Sequence, residues 1–402
     1  MTPRDAILRA VSSYTEEMID FTSRLTAIST ENPPGREYAP CVEAIAAELR
    51  RIGLPAELIE IAATGPRPDP NRCIRSFYGP PGRTLYFHGH YDVVPAASPG
   101  QFLPRREGGK LFARGSADMK GGLAAMIYAV RAIKDCGIAL AGRLGLLIVP
   151  DEETGGARGS GPLARAGILG ESGIGMLTPE PSGDVVWNAC RGAISLRVHV
   201  RGKSSHVGLH FQGANAFEGM IDLANRLLEL KEEVETRETG FRIAPEAARR
   251  SVLLLGGECT GGAGYNIVPD RMSFTIDRRI NPEEDLEEEK RRLLALIEAP
   301  RPGLEVGVEV LQEAPASSVT PDQPLARALA RGMAQVTGQA PRFELCPGLL
   351  ETRFYAAKGV PALAYGPGSL SVSHGAEEFV EVEKVSDCTA IYALTALDLL
   401  SG

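Results

Sequence analysis

A basic surface is missing from this sequence. Its 402 residues carry 43 Lys and Arg against 51 Asp and Glu, a formal net charge of −8, and no stretch forms a comb of basic side chains. Binding to nucleic acid or to an anionic membrane surface needs such a footprint, so neither is expected as a partner. Long apolar runs are missing too. Nowhere do about 18 apolar residues follow one another, which leaves no candidate membrane span. The opening MTPRDAILRAVSSYTEEM threads acidic and polar residues into an apolar period and has no small-residue cleavage site, so it reads as an amphipathic helix and not as a secretory leader. The seven cysteines (41, 73, 136, 190, 259, 346 and 388) are odd in number and scattered, and no Cys-x-x-Cys occurs. Reduced, mostly buried thiols in the cytoplasm are therefore expected. There is no internal repeat and no low-complexity tract. Histidine is scarce, six in all, yet His88 and His90 fall within three residues of each other.

What is present is the composition of a soluble globular chain, 44% hydrophobic and 23% charged. It is too long for one ordinary core. Helical periods at residues 5–28 and 38–52 are separated by Asn32-Pro33-Pro34-Gly35, whose prolines cannot continue a helix. Strand-like runs follow at 56–61, 73–78 and 84–88, then a helical period at 119–136 and apolar strands at 142–149 and 174–178. Such alternation predicts an α/β fold with a helix-covered, mixed but largely parallel sheet, in which ligands gather at the carboxyl ends of the strands. Between residues 191 and 314 the order changes to β-α-β-β-α-β, the split pattern of a small ferredoxin-like α+β module. The expected organisation is a large domain in two segments, 1–190 and 315–402, around an insert at 191–314.

The run Leu85-Tyr-Phe-His-Gly-His90-Tyr-Asp92 delivers a histidine and an acid where an apolar strand gives out. Side chains two apart on an extended segment point the same way, so Asp92 can accept the second ring N–H of a metal-binding His90 and fix its tautomer. Simple polarity at a strand end accounts for the pair equally well. Asp118, in Arg114-Gly-Ser-Ala-Asp118-Met-Lys-Gly-Gly122, stands at the threshold of a helix, where an N-cap role would also explain it. The glycine spacing there matches neither a Walker loop nor a dinucleotide fingerprint. Asp151, Glu152 and Glu153 follow GLLIVP directly, and three adjacent carboxylates repel one another unless solvent, cations or protonation relieves them. Glu180 follows GMLTP and is held extended by Pro181. His374 ends a Gly-rich loop that begins at Tyr365. Two histidines and three carboxylates, nearly all at strand ends of one sheet, supply what a pair of zinc-like ions needs, including one carboxylate to bridge them. Glu152 is then free to act as a base.

HGHYDVVP, RGSADMKGG, DEETGG, the Glu-Pro-Ser at Glu180, RGAISLRVHVRGKSSHVG, YNIVPD, DRRINPEE and GPGSLSVSHGAEEF follow in order from about residue 25 to the C-terminus. Together they resemble the successive motifs of the di-zinc amidohydrolase and peptidase family that includes acetylornithine deacetylase, succinyl-diaminopimelate desuccinylase, carboxypeptidase G and aminoacylase. The resemblance implies a homodimeric hydrolase that cleaves the amide bond of an N-acyl amino acid or a similar small amide bearing a carboxylate. It implies two divalent metal ions, zinc foremost, with cobalt or manganese as alternatives. His90, Asp118 and Glu180 would hold one ion and Asp118, Glu153 and His374 the other. Asp92 would support His90, and Glu152 would take a proton from the attacking water and pass it to the leaving amine. The insert would be a lid and dimerisation domain. Its His206 would reach the neighbouring active site and stabilise the oxyanion. Asn266 and Arg279 would bind the substrate carboxylate, with Arg278 an adjacent competitor.

One departure stands out. Where relatives commonly carry Gly-Gly-Thr-Asp-Ala-Arg, this chain has Gly348-Leu349-Leu350-Glu351-Thr352-Arg353. Gly348 and Arg353 keep the family's substrate-binding positions, and the two leucines imply a more apolar pocket. Two other readings stand beside the deacylase. One is a dipeptidase or aminopeptidase on the same scaffold, for which no site for a free amino terminus can be identified. The other is a catalytically silent metal-dependent binding protein, which would have no need of Glu152. His88 is expected to pack or hydrogen-bond behind the site. His199 and the single Trp187 receive no role, and His210 is either a second lid contact or a surface residue.

Overall fold

The computed structural model describes residues 1–62 and 71–401. The chain divides into two compact units. Met1–Asn188, Ser318–Phe343 and Glu351–Gly402 form the first, Ala189–Ser317 and Glu344–Leu350 the second. The short segment Glu344–Leu350 is not set apart by any periodicity in the sequence.

The first unit is built on a mixed sheet whose centre is parallel. Arg143–Val149, Thr84–His90, Gly173–Thr178 and Ala362–Ala364 lie side by side in that order, all running the same way. Arg72–Tyr78 and then Glu57–Glu60 extend it with antiparallel pairings, so the parallel character is confined to the middle. Every residue of Thr84–His90 is buried, as are all but the first of Arg143–Val149. Near-continuous apolar runs of this kind belong to strands covered on both faces. The helices Pro3–Thr26, Gly121–Asp135 and Val382–Leu400 contribute Met18, Phe21, Leu123, Ile127, Ile391 and Leu394 to the core on one side. On the other, Leu163 and Tyr355 pack with Tyr86, Leu147 and Met176. The first helix is started by a capping box: Thr2 Oγ1 accepts the N–H of Asp5 at 3.2 Å, and Asp5 accepts the N–H of Thr2 at 3.1 Å.

The second unit is a four-stranded antiparallel sheet in the order Val252–Gly261, Arg271–Ile280, Gly192–Arg201, Glu305–Ala314. Burial alternates along Gly192–Arg201, and its inward residues Ile194, Leu196, Val198 and Val200 pack with Leu223 and Leu227 of helix Ala216–Val234 and with Leu293 and Ile297 of helix Leu286–Ile297. A sheet with one covered face shows this period of two. Among the described residues no helix is long and apolar enough to cross a membrane. All seven cysteines are free, and only Cys259 is exposed.

Because the central strands of the first unit are parallel, their carboxyl ends share one edge. His90 ends one strand, Glu152 and Glu153 follow the next, and Glu180 lies two residues beyond the third.

Candidate metal centre

Asp118 sits between two histidines. His90 Nε2 lies 3.3 Å from its Oδ1, and His374 Nε2 lies 3.2 Å from its Oδ2 and 3.4 Å from Glu153 Oε2. The ligating atoms of His90, Asp118 and Glu180 fall within 4.8 Å of one another, and so do those of Asp118, Glu153 and His374. His90 Nε2 and Asp118 Oδ1 are buried, yet neither makes a hydrogen bond. Buried polar atoms left in that state are costly unless something else satisfies them. Imidazole nitrogen and carboxylate oxygen are the donors that zinc-like ions take, so this set fits two divalent cations that share Asp118.

The local backbone explains how Asp118 reaches this place. It lies in an irregular turn, Ser116–Lys120, with φ −125° and ψ 95°, and its peptide bond to Met119 is cis. The following helix starts after Lys120 without a side-chain cap. An N-cap role for Asp118 is therefore not realised, and its carboxylate turns toward the histidines instead. Its N–H and that of Ala117 both donate to Glu378 Oε1, at 3.1 and 3.0 Å. Glu378 pairs with buried Arg114, which also donates to the carbonyl of His374 at 3.1 Å. One ion pair thus ties the Asp118 turn to the His374 loop. That loop passes close to its neighbours. A Cβ at Gly366 would stand 2.2 Å from the carbonyl of Pro179, and one at Gly368 the same distance from that of Ala117.

A model of peptidase family M20/M25/M40 matches residues 86–398. The chain belongs to this family. Succinyl-diaminopimelate desuccinylase of Gluconacetobacter diazotrophicus is 29% identical over 366 residues, covering 87% of this chain and 89% of that one. Human carnosine dipeptidase 1 shares the fold at 17% identity with a TM-score of 0.74, over 99% of each chain. A dinuclear metal-binding M20 peptidase of Bacillus subtilis matches with a TM-score of 0.69 at 14% identity, over 97% of this chain and 99% of the other. Membership carries the reaction class: the protein is a metal-dependent hydrolase of amide bonds.

In this M20 chain Asp92 does more than face His90. The Nδ1 of His90 is 3.0 Å from the main-chain oxygen of Asp92 and 3.4 Å from its carboxylate. The carboxylate accepts the N–H groups of Glu152 and Glu153, at 3.2 and 3.3 Å, and Asn32 Nδ2 at 2.8 Å. Asn32, read in the sequence only as part of a helix-separating turn, is thus a partner of the site. No spacing rule would have found it.

Crowding sets the protonation of the acids. Burial, with Glu180 and Glu153 adding to it, raises the carboxyl of Glu152 well above the usual range. Burial likewise pushes Glu180 up to about 8, His90 opposing it. Glu153 is raised by burial and by Asp118. Burial works against the charge of Asp118, but His374 and His90 outweigh it and lower its carboxyl. His374 is carried up to about 10 by Asp118 and Glu153. Cations would relieve this clustering of negative charge.

The other expected site residues fall in different surroundings. Arg353 is buried and donates to the carbonyl of Gly155 at 2.8 Å, so it supports the Glu152 turn. Gly348 is exposed, Leu349 half-buried and Leu350 buried. In the second unit His206 is exposed, its Nδ1 accepting the N–H of Gly208 at 3.1 Å. Asn266 lies beside it, its carbonyl accepting the N–H of Val207 at 3.0 Å. Arg278 is fully buried and committed to Glu284 and Glu289, whereas half-buried Arg279 is paired at 2.9 Å with Asp277. Of the two adjacent arginines, only Arg279 keeps a guanidinium near solvent.

Proposed function

We propose that the protein removes the acyl group from an N-acyl amino acid, or cleaves a similar small linear amide bearing a carboxylate, using two divalent ions held by His90, Asp118, Glu153, Glu180 and His374. The observation that carries this reading is the position of Asp118, with one oxygen toward each histidine and Glu152 Oε2 3.9 Å from His90 Nε2. The ions, zinc foremost and cobalt or manganese able to replace it, would polarise the substrate carbonyl and make water a better nucleophile. Glu152 takes the proton of the attacking water and delivers it to the leaving amine. Its crowded, partly buried carboxyl has the raised proton affinity that suits a base which must next serve as an acid. Asp92 holds the turn on which Glu152 rides.

The second unit supplies the rest of this reading. His206 donates to the developing oxyanion. Arg279, with Asn266, receives the substrate carboxylate, a task suited to a guanidinium fork. Gly348 and Leu349 border the acyl side. The second unit is the lid and the dimer contact of a cytoplasmic homodimer.

Amine release from a panel of N-acetyl, N-formyl, N-succinyl and longer N-acyl amino acids, with dipeptides alongside, tests the proposal when each is run with and without chelator. Chelator-sensitive release from one acyl class supports it. Release from dipeptides alone would replace it with a dipeptidase.

A further inference from the structure

A polar cluster is buried behind the strand that ends in His90. The Nε2 of His88 lies 2.5 Å from Glu351 Oε2 and 3.2 Å from Ser160 Oγ, and its Nδ1 lies 3.1 Å from the Tyr355 hydroxyl. His88 and Glu351 are each 1% exposed. The second carboxylate oxygen of Glu351, Oε1, makes no hydrogen bond. A buried acid half satisfied in this way is expensive to keep.

The place of that oxygen gives the reason. A Cβ added to Gly156 would stand 2.7 Å from Glu351 Oε1 and 3.2 Å from the ring of Phe354. Gly156 has φ +72° and closes the turn that carries Glu152 and Glu153, so glycine is required there by both conformation and space. One residue earlier, the carbonyl of Gly155 accepts from Arg353. Residues 351–354 therefore bear on the turn at two successive glycines. The same Glu351 grips His88, two residues before His90 in the neighbouring strand. An aspartate, shorter by one methylene, would not span both contacts.

We propose that Glu351 is a positioning residue for the candidate base, bracing the turn at 151–156 against the His90 strand by its reach. The inference rests on the reading of Glu152 as the base. Loss of the brace moves the Glu152 carboxylate relative to the substrate without removing a metal ligand or a substrate contact.

The experiment uses full-length, metal-loaded protein and the variants Glu351→Ala, Glu351→Gln and Glu351→Asp, with Glu152→Gln as control. Glu351→Ala should lower kcat about 10- to 100-fold, the range for groups that orient a site from behind it. KM should change less than about threefold and metal content not at all. Glu351→Gln, which keeps the length and an acceptor for His88, should recover most of the loss, and Glu351→Asp should not. Independently of activity, hydrogen exchange at the amides of Thr154, Gly155 and Gly156, which bond within the turn, should be at least about tenfold faster in Glu351→Ala and Glu351→Asp. Unchanged exchange, a parental kcat, or loss of metal would overturn the proposal. If Glu351→Ala does not fold, the contrast between Gln and Asp decides. Parental turnover by Glu152→Gln would instead overturn the role of the base, and the exchange rates would still judge the brace.

Discussion

The carboxylate of Asp92 accepts the main-chain N–H of Glu152 at 3.2 Å, and so ties the strand bearing one candidate metal ligand to the turn bearing the candidate base. Asp92→Ala frees that turn and strips the Nδ1 side of His90 of its carboxylate neighbour. Turnover or metal affinity should fall about 10- to 100-fold, as for other groups that orient ligands. Asn32→Ala, which removes only one of the donors to Asp92, should have the smaller effect. Steady-state kinetics with metal content per chain separates the two.

Glu152→Gln keeps the shape of the side chain and removes its basicity. The variant should lose about 10²- to 10⁴-fold in kcat, the range supplied by a positioned proton carrier, while retaining fold and metal. Retained turnover would remove Glu152 from the reaction.

Metal removal should destabilise as well as inactivate. A ligand that binds only the folded state at 100 times its Kd adds about 2.7 kcal/mol, so chelation should lower the melting temperature and added zinc or cobalt should restore it. Asp118→Ala, which removes the carboxylate between the two histidines, should abolish the response altogether. His374→Ala should leave about half the metal content.

Glu378→Ala leaves Arg114 buried with its charge partner gone. Stripping one member of a buried pair costs about 3–5 kcal/mol, and denaturant melts should show a loss of that order. The same variant loosens both the Asp118 turn and the His374 loop, so metal affinity should drop with it.

Glu48 offers a pH test away from the metal centre. It is buried in the helix Tyr38–Arg51 and accepts from Tyr128 at 2.6 Å, Arg51 at 2.7 Å and Arg24 at 2.9 Å. Burial opposes its charge, but these partners bring its carboxyl down from 4.5 to about 2. Its pKa is lower folded than unfolded, so its contribution is fully present above about pH 4.5 and is lost as pH falls toward 2. Glu48→Gln should destabilise the protein by about 2 kcal/mol at pH 7, with both arginines keeping access to water. The difference from the parent, read from urea melts, should shrink steadily below pH 4.5.

Much of this was legible along the chain. Histidines and carboxylates are common donors to zinc-like ions, and the apolar runs that make buried strands give out at residues of these types, at His90, just before Glu152 and Glu153, and near Glu180. The β-α-β-β-α-β order of the second unit was legible for a similar reason: a sheet covered on one face writes its burial into alternate residues, as at Ile194, Leu196, Val198 and Val200. The antiparallel edge of the large sheet was not, since strand direction leaves no mark on an apolar run.

By itself the sequence determined which residue types lie at the strand ends, because hydrophobic periodicity is a local property. Contacts between residues far apart decided the rest. Only the folded chain turns Asp118 from a helix cap into a carboxylate between two histidines, commits Arg278 to Glu284 and Glu289 while Arg279 stays near solvent, and sets Arg353 under Gly155. The same holds for Asn32 against Asp92 and for Glu351 between His88 and Gly156. A hydrogen bond depends on a few tenths of an ångström and on direction. Packing of distant segments sets both, and no spacing within one segment encodes them.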